Sequence, residues 1–435
     1  MRGGGAFLKV EIGNIYIKDI QFGEQTIIED QVLFVNKQEL EELLQADEHL
    51  ASVTLEIARP GDSIRIIPVK DVIEPRAKVE GDGGIFPGFV SKMGTVGRGR
   101  THVLKGAAVV TTGKIVGYQE GIIDMTGPGA EICPFSKLHN LVIVAQPIKG
   151  ISPYEHEGAL RLMGLKAAAY LGEAGRTVEP DERFPYELPP LPAYETKYPN
   201  LPKIAYVYML QSQGLLHDTY YYGVDVKHMV PTFMHPTEVM DGAIVSGNCV
   251  SACDKNTTYH HQNNPVIHDL LARHGKELCF VGCIITNENV TLMDKQRSSD
   301  MVAKLVEFLD VDGVIISEEG FGNPDTDLIM NCTKIESKGI KTVLITDEYA
   351  GQDGTSQSLA DGSPLANAVV STGNANALVT LPPLEKVIGN QDMADVIAGG
   401  FKGNMESSGT ITVELQAIIG ATNELGFNRL TAREY

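Results

Sequence analysis

The run from Ser246 to Asn256, SGNCVSACDKN, contains residues that could cleave their own chain. The Cys249 thiol can attack the carbonyl of Asn248 and convert the peptide bond between them into a thioester. Elimination at Cys249 then expels the Asn248 fragment with the sulfur, and the dehydroalanine that remains hydrolyses to a pyruvoyl group. Gly247 favours this shift because glycine permits strained backbone conformations. Cys249 is therefore predicted to be the precursor of a ketone cofactor.

Two other readings of the Asn-Cys pair remain open, because most such pairs are ordinary loop residues. An amidohydrolase with Cys249 as its N-terminal nucleophile would also be cut here, but it would keep the thiol and a free amine. A binding or scaffold subunit would keep Asn248 and Cys249 joined. The three readings differ in what stands at position 249 in the mature protein.

Both self-cleavage and imine formation need a group that takes and returns protons near neutral pH. Asp254, Lys255 and His260 are the candidates, and the sequence does not choose among them. No metal is predicted: Cys249 and Cys253 lack the spacing of a zinc knuckle, and the adjacent His260 and His261 would face opposite ways in a strand.

The elements that position these residues differ between the two halves of the chain. Short runs of alternating apolar and polar residues predict antiparallel strands at 8–17, 52–57 and 63–68. The glycine-rich stretch 79–130 predicts functional loops or tight turns, and a helix is predicted over 160–173. Prolines over 180–202 mark the best linker candidate. We predict a β-rich N-terminal domain over residues 1–200.

Beyond Cys249, strands and helices alternate. Strands are predicted at 278–287, 313–320 and 341–348, and helices at 298–310 and 325–339. This alternation, with nearly continuous Val and Ile runs in the strands, is typical of a doubly wound parallel sheet. We therefore predict an α/β protein, with a mostly β N-terminal domain and a doubly wound α/β domain over residues 201–435 that contains the 248/249 cleavage site.

Polar residues follow the strands of this predicted sheet, at the edge where ligands collect in such folds. The residues predicted to bind substrate there are Glu318, Glu319, Asn323, Asp347 and Glu348. Asn323 and Pro324 also fit the N-cap and the first position of a helix, which would explain those two residues without a site.

Composition excludes several classes of protein. With 56 acidic against 36 basic residues the net charge is −20, which disfavours nucleic acids and acidic membranes as partners. The sequence has no apolar run of about 18 residues and no signal peptide, so we expect a cytoplasmic protein without a membrane span. The six cysteines are too sparse for a disulfide scaffold. The common hydrolase, NTPase and dinucleotide-binding motifs are missing.

The stretch 219–264 resembles the cleavage region of the component B proproteins in the glycine, sarcosine and betaine reductase family, with a more distant similarity to the D-proline reductase proprotein. Further segments resemble the same family, at 95–130, 206–218, 318–332, 346–354 and 418–427. The resemblance covers essentially the whole chain.

This resemblance implies a proprotein that splits into fragments of 248 and 187 residues, of which the second begins with the pyruvoyl group. It implies that the ketone forms a Schiff base with glycine or sarcosine, so that the C–N bond opens to displacement. The outcome in the family is reductive deamination to acetyl phosphate and ammonia or an amine. Betaine is a quaternary amine and cannot form an imine, so a betaine-specific member would have to use the ketone differently. The sequence does not settle which of these amines is the substrate.

The resemblance also implies partners, because the displacing selenolate must come from another chain. These are a selenocysteine-containing component B subunit, the small selenoprotein A, the acetyl-phosphate-forming protein C and thioredoxin as reductant. For the substrate carboxylate, Lys255 ranks first among the nearby basic residues, ahead of Lys295 and Arg297.

Overall fold

The computed structural model describes residues 8–214, 216–247, 256–427 and 431–434. Four residues singled out above, Asn248, Cys249, Asp254 and Lys255, lie outside these ranges. The strands are β1 Leu8–Tyr16, β2 Asp19–Gly23, β3 Ile27–Glu29, β4 Val32–Asn36, β5 Leu50–Ala58, β6 Ile64–Val69, β7 Asp71–Ile73, β8 Arg76–Glu80, β9 Gly99–Lys105, β10 Ala107–Gly113, β11 Gly121–Asp124, β12 His139–Pro147, β13 Glu182–Leu188, β14 Lys203–Leu210, β15 Tyr220–Tyr221, β16 Val224–Asp225, β17 Thr232–Met234, β18 Ile244–Val245, β19 Cys279–Asn287, β20 Gly313–Ser317, β21 Lys341–Glu348, β22 Ala368–Asn374, β23 Leu378–Leu381, β24 Lys386–Gly389, β25 Ile411–Glu414 and β26 Thr431–Glu434. The helices are α1 Lys37–Gln45, α2 Pro128–Ile132, α3 Pro153–Glu173, α4 Tyr194–Lys197, α5 Thr258–Gln262, α6 Pro265–Arg273, α7 Leu292–Phe308 and α8 Asn323–Glu336.

Helix α3 packs against two four-stranded sheets of the N-terminal half, ordered β13-β1-β9-β8 and β5-β12-β10-β7. It begins earlier than the sequence pattern predicts, because Ser152 accepts a hydrogen bond from the Glu155 backbone while the Glu155 side chain accepts one from Ser152. Strand β13 lies within the proline-rich stretch. It is an edge strand, which tolerates Pro185 because one side of an edge strand needs no donor.

A seven-stranded sheet forms the centre of the C-terminal half, in the order β17-β19-β14-β20-β21-β22-β26. Strands β19, β14, β20, β21 and β22 run parallel, and the two edge strands are antiparallel. Apolar residues of α6 cover one face, and those of α7 and α8 cover the other. The prediction of an α/β fold is confirmed. The strand that follows β14 in this parallel set, β19, is added on one side of it, and the next, β20, is added on its other side. The topological switch point of the sheet therefore lies between β14 and β20.

A late segment of the chain completes a sheet of the N-terminal half. Strand β24 pairs in parallel with β6, and β6 pairs with β11 on its other side. Apolar residues from 381 to 421 share one core with residues 58 to 72. The two halves of the sequence are therefore joined by a common hydrophobic core.

Three local expectations are corrected by the structure. His260 and His261 lie in the short helix α5, where adjacent side chains point about 100° apart, and not in a strand. Helix α8 begins at Asn323 with Gly322 as its N-cap, so Asn323 is the first helical residue and not the cap. Strand β20 ends at Ser317, which leaves the following glutamates beyond the strand. Within the described ranges, none of the helices combines the length and hydropathy that crossing a bilayer requires.

Candidate functional site

The two ends of segment 248–255 are held at one point. The Ser246 backbone N–H donates to the Thr258 hydroxyl at 3.1 Å, although the two residues are separated by twelve positions. Thr258 in turn donates to both carboxylate oxygens of Asp71, from its hydroxyl at 2.7 Å and from its backbone at 2.9 Å. Asp71 begins the buried strand β7. The residues on either side of segment 248–255 therefore share one anchor.

The residue before the predicted cleavage pair is fixed from two sides. The Lys70 ammonium donates to the Gly247 carbonyl oxygen at 3.0 Å. A Cβ atom on Gly247 would meet the backbone oxygen of Asp218 and would stand 2.7 Å from the Tyr220 ring. No larger residue fits there, so glycine at 247 is required by close backbone approach.

Lys70 lies between β6 and β7 and joins a buried charge cluster whose carboxylate, Glu157, is on helix α3. Its ammonium lies 3.4 Å from Glu157, which also contacts Arg161 at 3.3 Å and His217. Burial alone would raise the pKa of Glu157, but the charges of Lys70 and Arg161 outweigh burial and lower that pKa to about 2. Glu157 is therefore a carboxylate at all ordinary pH values, and it anchors three cationic or protonatable groups.

The lowered pKa of Glu157 makes stability depend on pH. A carboxyl whose folded pKa lies below its unfolded value of 4.5 contributes stability above pH 4.5, and that contribution is lost as pH falls towards 2. Between pH 4.5 and about 3 the wild-type protein should lose about 2 kcal/mol of unfolding free energy through this group. The unfolding free energy of Glu157→Gln, measured by urea titration at each pH, should lack this pH dependence. Glu131→Gln, which changes an exposed residue, should keep it. Equal slopes in all three proteins would contradict the assignment.

Helix α5, which follows the segment, carries two buried histidines with different surroundings. His260 Nδ1 accepts a hydrogen bond from the Thr257 backbone at 3.0 Å, and its ring lies 5.0 Å from Phe135 and 4.6 Å from Phe427. Burial, with a smaller contribution from His261, holds the pKa of His260 well below its usual value. The ring is therefore neutral with its proton on Nε2, and this atom has no hydrogen-bond partner among the described residues.

His261 faces the polar edge of the parallel sheet. Its Nδ1 lies 2.5 Å from the Tyr208 hydroxyl, and its Nε2 lies 3.5 Å from Glu319 Oε1. Burial raises the pKa of Tyr208 well above its usual value, so the hydroxyl stays protonated and donates to Nδ1. A neutral His261 then carries its proton on Nε2, towards Glu319. Sequence reasoning considered His261 only as a metal ligand. The indication it missed was Thr257, which can cap a short helix three residues before His260.

Glu319 joins this histidine to the loop after β14. Its carboxylate accepts hydrogen bonds from the Gln211 backbone at 2.8 Å and from the Thr219 hydroxyl at 2.7 Å. Its own backbone N–H donates to Glu288 at 2.7 Å. Burial raises the pKa of Glu288 well above its usual value and so favours its protonated form. Glu288 also follows a strand predicted from the sequence, at 278–287, but it is not among the residues predicted to bind substrate.

Three other residues predicted to bind substrate at the sheet edge are buried. Glu318 is buried and accepts a hydrogen bond from Thr346, and its pKa is raised well above normal, first by burial and then by neighbouring carboxylates. Asp347 is fully buried, and Glu348 accepts a hydrogen bond from Ser371 at 2.5 Å. All three side chains are buried at the carboxyl ends of β20 and β21.

Asn323 lines an open cavity of about 380 Å³ at the switch point between β14 and β20. Its side chain accepts a hydrogen bond from Gln213 at 3.1 Å. Phe321 and Tyr349 stack at 4.2 Å on another wall, and Gln211 separates the cavity from Glu319. Crevices at this position of doubly wound sheets are the usual ligand sites.

Two basic residues considered as carboxylate donors are engaged elsewhere. Lys295 is buried against Asp327 and donates to the backbone of Asn323 at 2.8 Å. Arg297 is half exposed and pairs with Asp294 at 2.5 Å. Of the three donors considered, Lys255 alone lies outside the described residues.

Fold and site together define an α/β protein in which the residues flanking segment 248–255 share one anchor, and in which helix α5 carries a histidine into a buried group of carboxyl side chains. The chain belongs to the family of glycine/sarcosine/betaine reductase component B subunits, whose profile matches residues 8–433. It is accordingly a component of a multi-component reductase complex, and its enzyme class is oxidoreductase.

Individual relatives span this chain almost completely. It is 66% identical over 430 residues to the glycine reductase complex component B subunits alpha and beta of Acetoanaerobium sticklandii, covering 98% of this chain and 100% of that protein. It is 59% identical to the sarcosine reductase complex component B subunit alpha of Peptoclostridium acidaminophilum, over the same shares of both chains. A more distant relative is the D-proline reductase proprotein PrdA of Acetoanaerobium sticklandii, 25% identical over 75% of this chain and 53% of that protein. No solved structure matches significantly.

Proposed function

We propose that this chain is the substrate-binding subunit of a selenoprotein amino-acid reductase complex and that it matures by cleavage between Asn248 and Cys249. The observation that supports this most directly is the hydrogen bond from Ser246 to Thr258, which ties both ends of the reactive segment to Asp71. An intramolecular attack is accelerated when the reacting groups are held together before reaction. One relative is itself named a proprotein, and another is named as two subunits in one chain.

The surroundings of the segment fit a pyruvoyl group derived from Cys249. Ser246 Oγ and His260 Nε2 are buried beside its two ends and have no hydrogen-bond partner among the described residues. A ketone and its adjoining amide oxygen accept hydrogen bonds, so either donor could serve them. Once formed, the ketone supplies an electrophile that condenses with an amine and draws electrons from the C–N bond.

The chain's own residues would bind the substrate and move its protons. His261 and Glu319 form a buried pair in which a proton on Nε2 faces a carboxylate, which suits transfer during amine condensation. Asp254, Lys255 and His260 remain candidates for proton transfer, and Lys255 for the substrate carboxylate. Asn323 would contact substrate from the cavity, backed by the interior carboxyl groups Glu318, Asp347 and Glu348.

We propose glycine as the substrate and sarcosine as the alternative, because identity is higher to the glycine reductase relative than to the sarcosine reductase one. The products would be acetyl phosphate and ammonia or an amine. The partners would be a selenocysteine-containing component B subunit, the small selenoprotein A, protein C and thioredoxin. The site would operate in the cytoplasm.

Denaturing intact-mass spectrometry of the purified protein with a carbonyl-reactive probe tests this proposal. Fragments of 248 and 187 residues, with the probe on the second, are expected. Two unlabelled fragments, the second starting with free cysteine, would favour an amidohydrolase. A single full-length mass from fully active complex would leave only a scaffold role.

A further inference from the structure

We propose that Lys70 is a positioning residue for chain cleavage, held in place by Glu157 on helix α3. The inference rests on the proposed cleavage between Asn248 and Cys249. Nothing in the sequence pattern points to Lys70, because it lies 177 positions before the residue that it contacts.

The Lys70 ammonium contacts the residue that directly precedes the predicted cleavage pair. Its acceptor, the Gly247 carbonyl at 3.0 Å, belongs to the peptide bond that immediately precedes Asn248. The ammonium is buried, and charge-assisted hydrogen bonds in such an environment are strong and directional. Gly247 is packed closely against Asp218 and Tyr220, because a Cβ atom at this position would overlap the Asp218 backbone oxygen and stand 2.7 Å from the Tyr220 ring. These contacts define where Asn248 begins.

The charge balance of the cluster argues against a purely structural lysine. Lys70, Arg161 and His217 all approach one carboxylate, that of Glu157. Burying a lysine costs free energy unless it is well paired, and an apolar side chain would often be at least as stable. Lys70 instead directs its ammonium at a backbone carbonyl one residue from the predicted cleavage pair.

Lys70 forms no covalent bond in this scheme. The Cys249 sulfur bonds to the Asn248 carbonyl carbon, the C–N bond breaks and the nitrogen takes a proton. Loss of the Cys249 α-proton then breaks the Cβ–S bond, and the thiocarboxylate of Asn248 leaves. Water converts the resulting dehydroalanine to the ketone and releases ammonia. Lys70 fixes the direction from which the Asn248 carbonyl meets the thiol, which is the step most sensitive to position.

The test compares cleavage rates in Lys70→Met, Lys70→Arg and Lys78→Met. Lys78 is a matched control, because it is a buried lysine whose ammonium donates to Asp241 at 2.5 Å and to Thr101 at 3.3 Å. Each full-length chain is purified at early times, checked by circular dichroism and followed by intact mass. We expect Lys70→Met to cleave about 100-fold more slowly than wild type. Lys78→Met should cleave at the wild-type rate. Lys70→Arg, which keeps a positive charge, should retain most of the wild-type cleavage rate.

A folded Lys70→Met protein that cleaves at the wild-type rate would overturn the inference, and so would equal slowing in Lys78→Met. Wild-type protein that is never cut at 248/249 would instead overturn the proposed function, so the two failures are distinguishable. If Lys70→Met does not fold, Glu157→Gln replaces it, since this variant keeps Lys70 but weakens its anchor. Slowed cleavage in folded Glu157→Gln supports the inference, and wild-type cleavage contradicts it.

Discussion

A Cys249→Ala chain is expected to remain one polypeptide of 435 residues and to have no reductase activity. Without the thiol no thioester can form, and without a leaving sulfur no ketone can be produced. The effect should be complete, since both the processing step and the electrophile depend on one atom. Gel electrophoresis and intact mass report cleavage, and amine-dependent acetyl phosphate formation with the partner proteins reports activity.

Cys253→Ala is the matched control, because it removes a thiol four residues away without touching the predicted bond. We expect this variant to yield the same two fragments as wild type. Normal splitting of Cys249→Ala would refute the acyl-shift mechanism, because another nucleophile would then be responsible. Uncleaved Cys253→Ala would show that the second thiol takes part as well.

Replacing His261 with Asn is expected to lower turnover of the processed enzyme by about 10²- to 10⁴-fold, the range for loss of a general acid–base group. The variant removes the imidazole ring that lies between Tyr208 and Glu319 and puts a smaller polar side chain in its place. Turnover should be normalised to the amount of ketone-bearing fragment, so that any effect on processing is separated from catalysis.

His268→Asn is the matched substitution on the next helix. His268 is partly buried on α6, where its Nδ1 lies 3.4 Å from the Tyr186 hydroxyl. This variant should keep wild-type turnover. Wild-type turnover in His261→Asn, at equal ketone content, would remove His261 and Glu319 from the proposed proton path.

Local sequence patterns predicted the parallel strands well. The run at 313–317 is almost wholly buried, and the strand at 341–348 is buried on both faces from Leu344 onwards, so both can be identified without knowledge of their neighbours. The first residues of helices were predicted less accurately, because capping interactions at the helix N-terminus decide where a helix begins. Helix α3 starts at Pro153 because Ser152 and Glu155 cap each other, and α8 starts at Asn323 because Gly322 adopts a positive φ of 83°.

The sequence by itself determined the α/β class and the family, because both depend on residue types and short spacings, and it supplied the prediction of cleavage between Asn248 and Cys249. Only the tertiary structure brought Lys70 to Gly247 and Asp71 to Thr258, across 177 and 187 positions. It also set His261 against Glu319, and it paired β24 with β6. Such contacts depend on how sheets and helices pack, and a one-dimensional pattern carries no information about which distant side chains then meet.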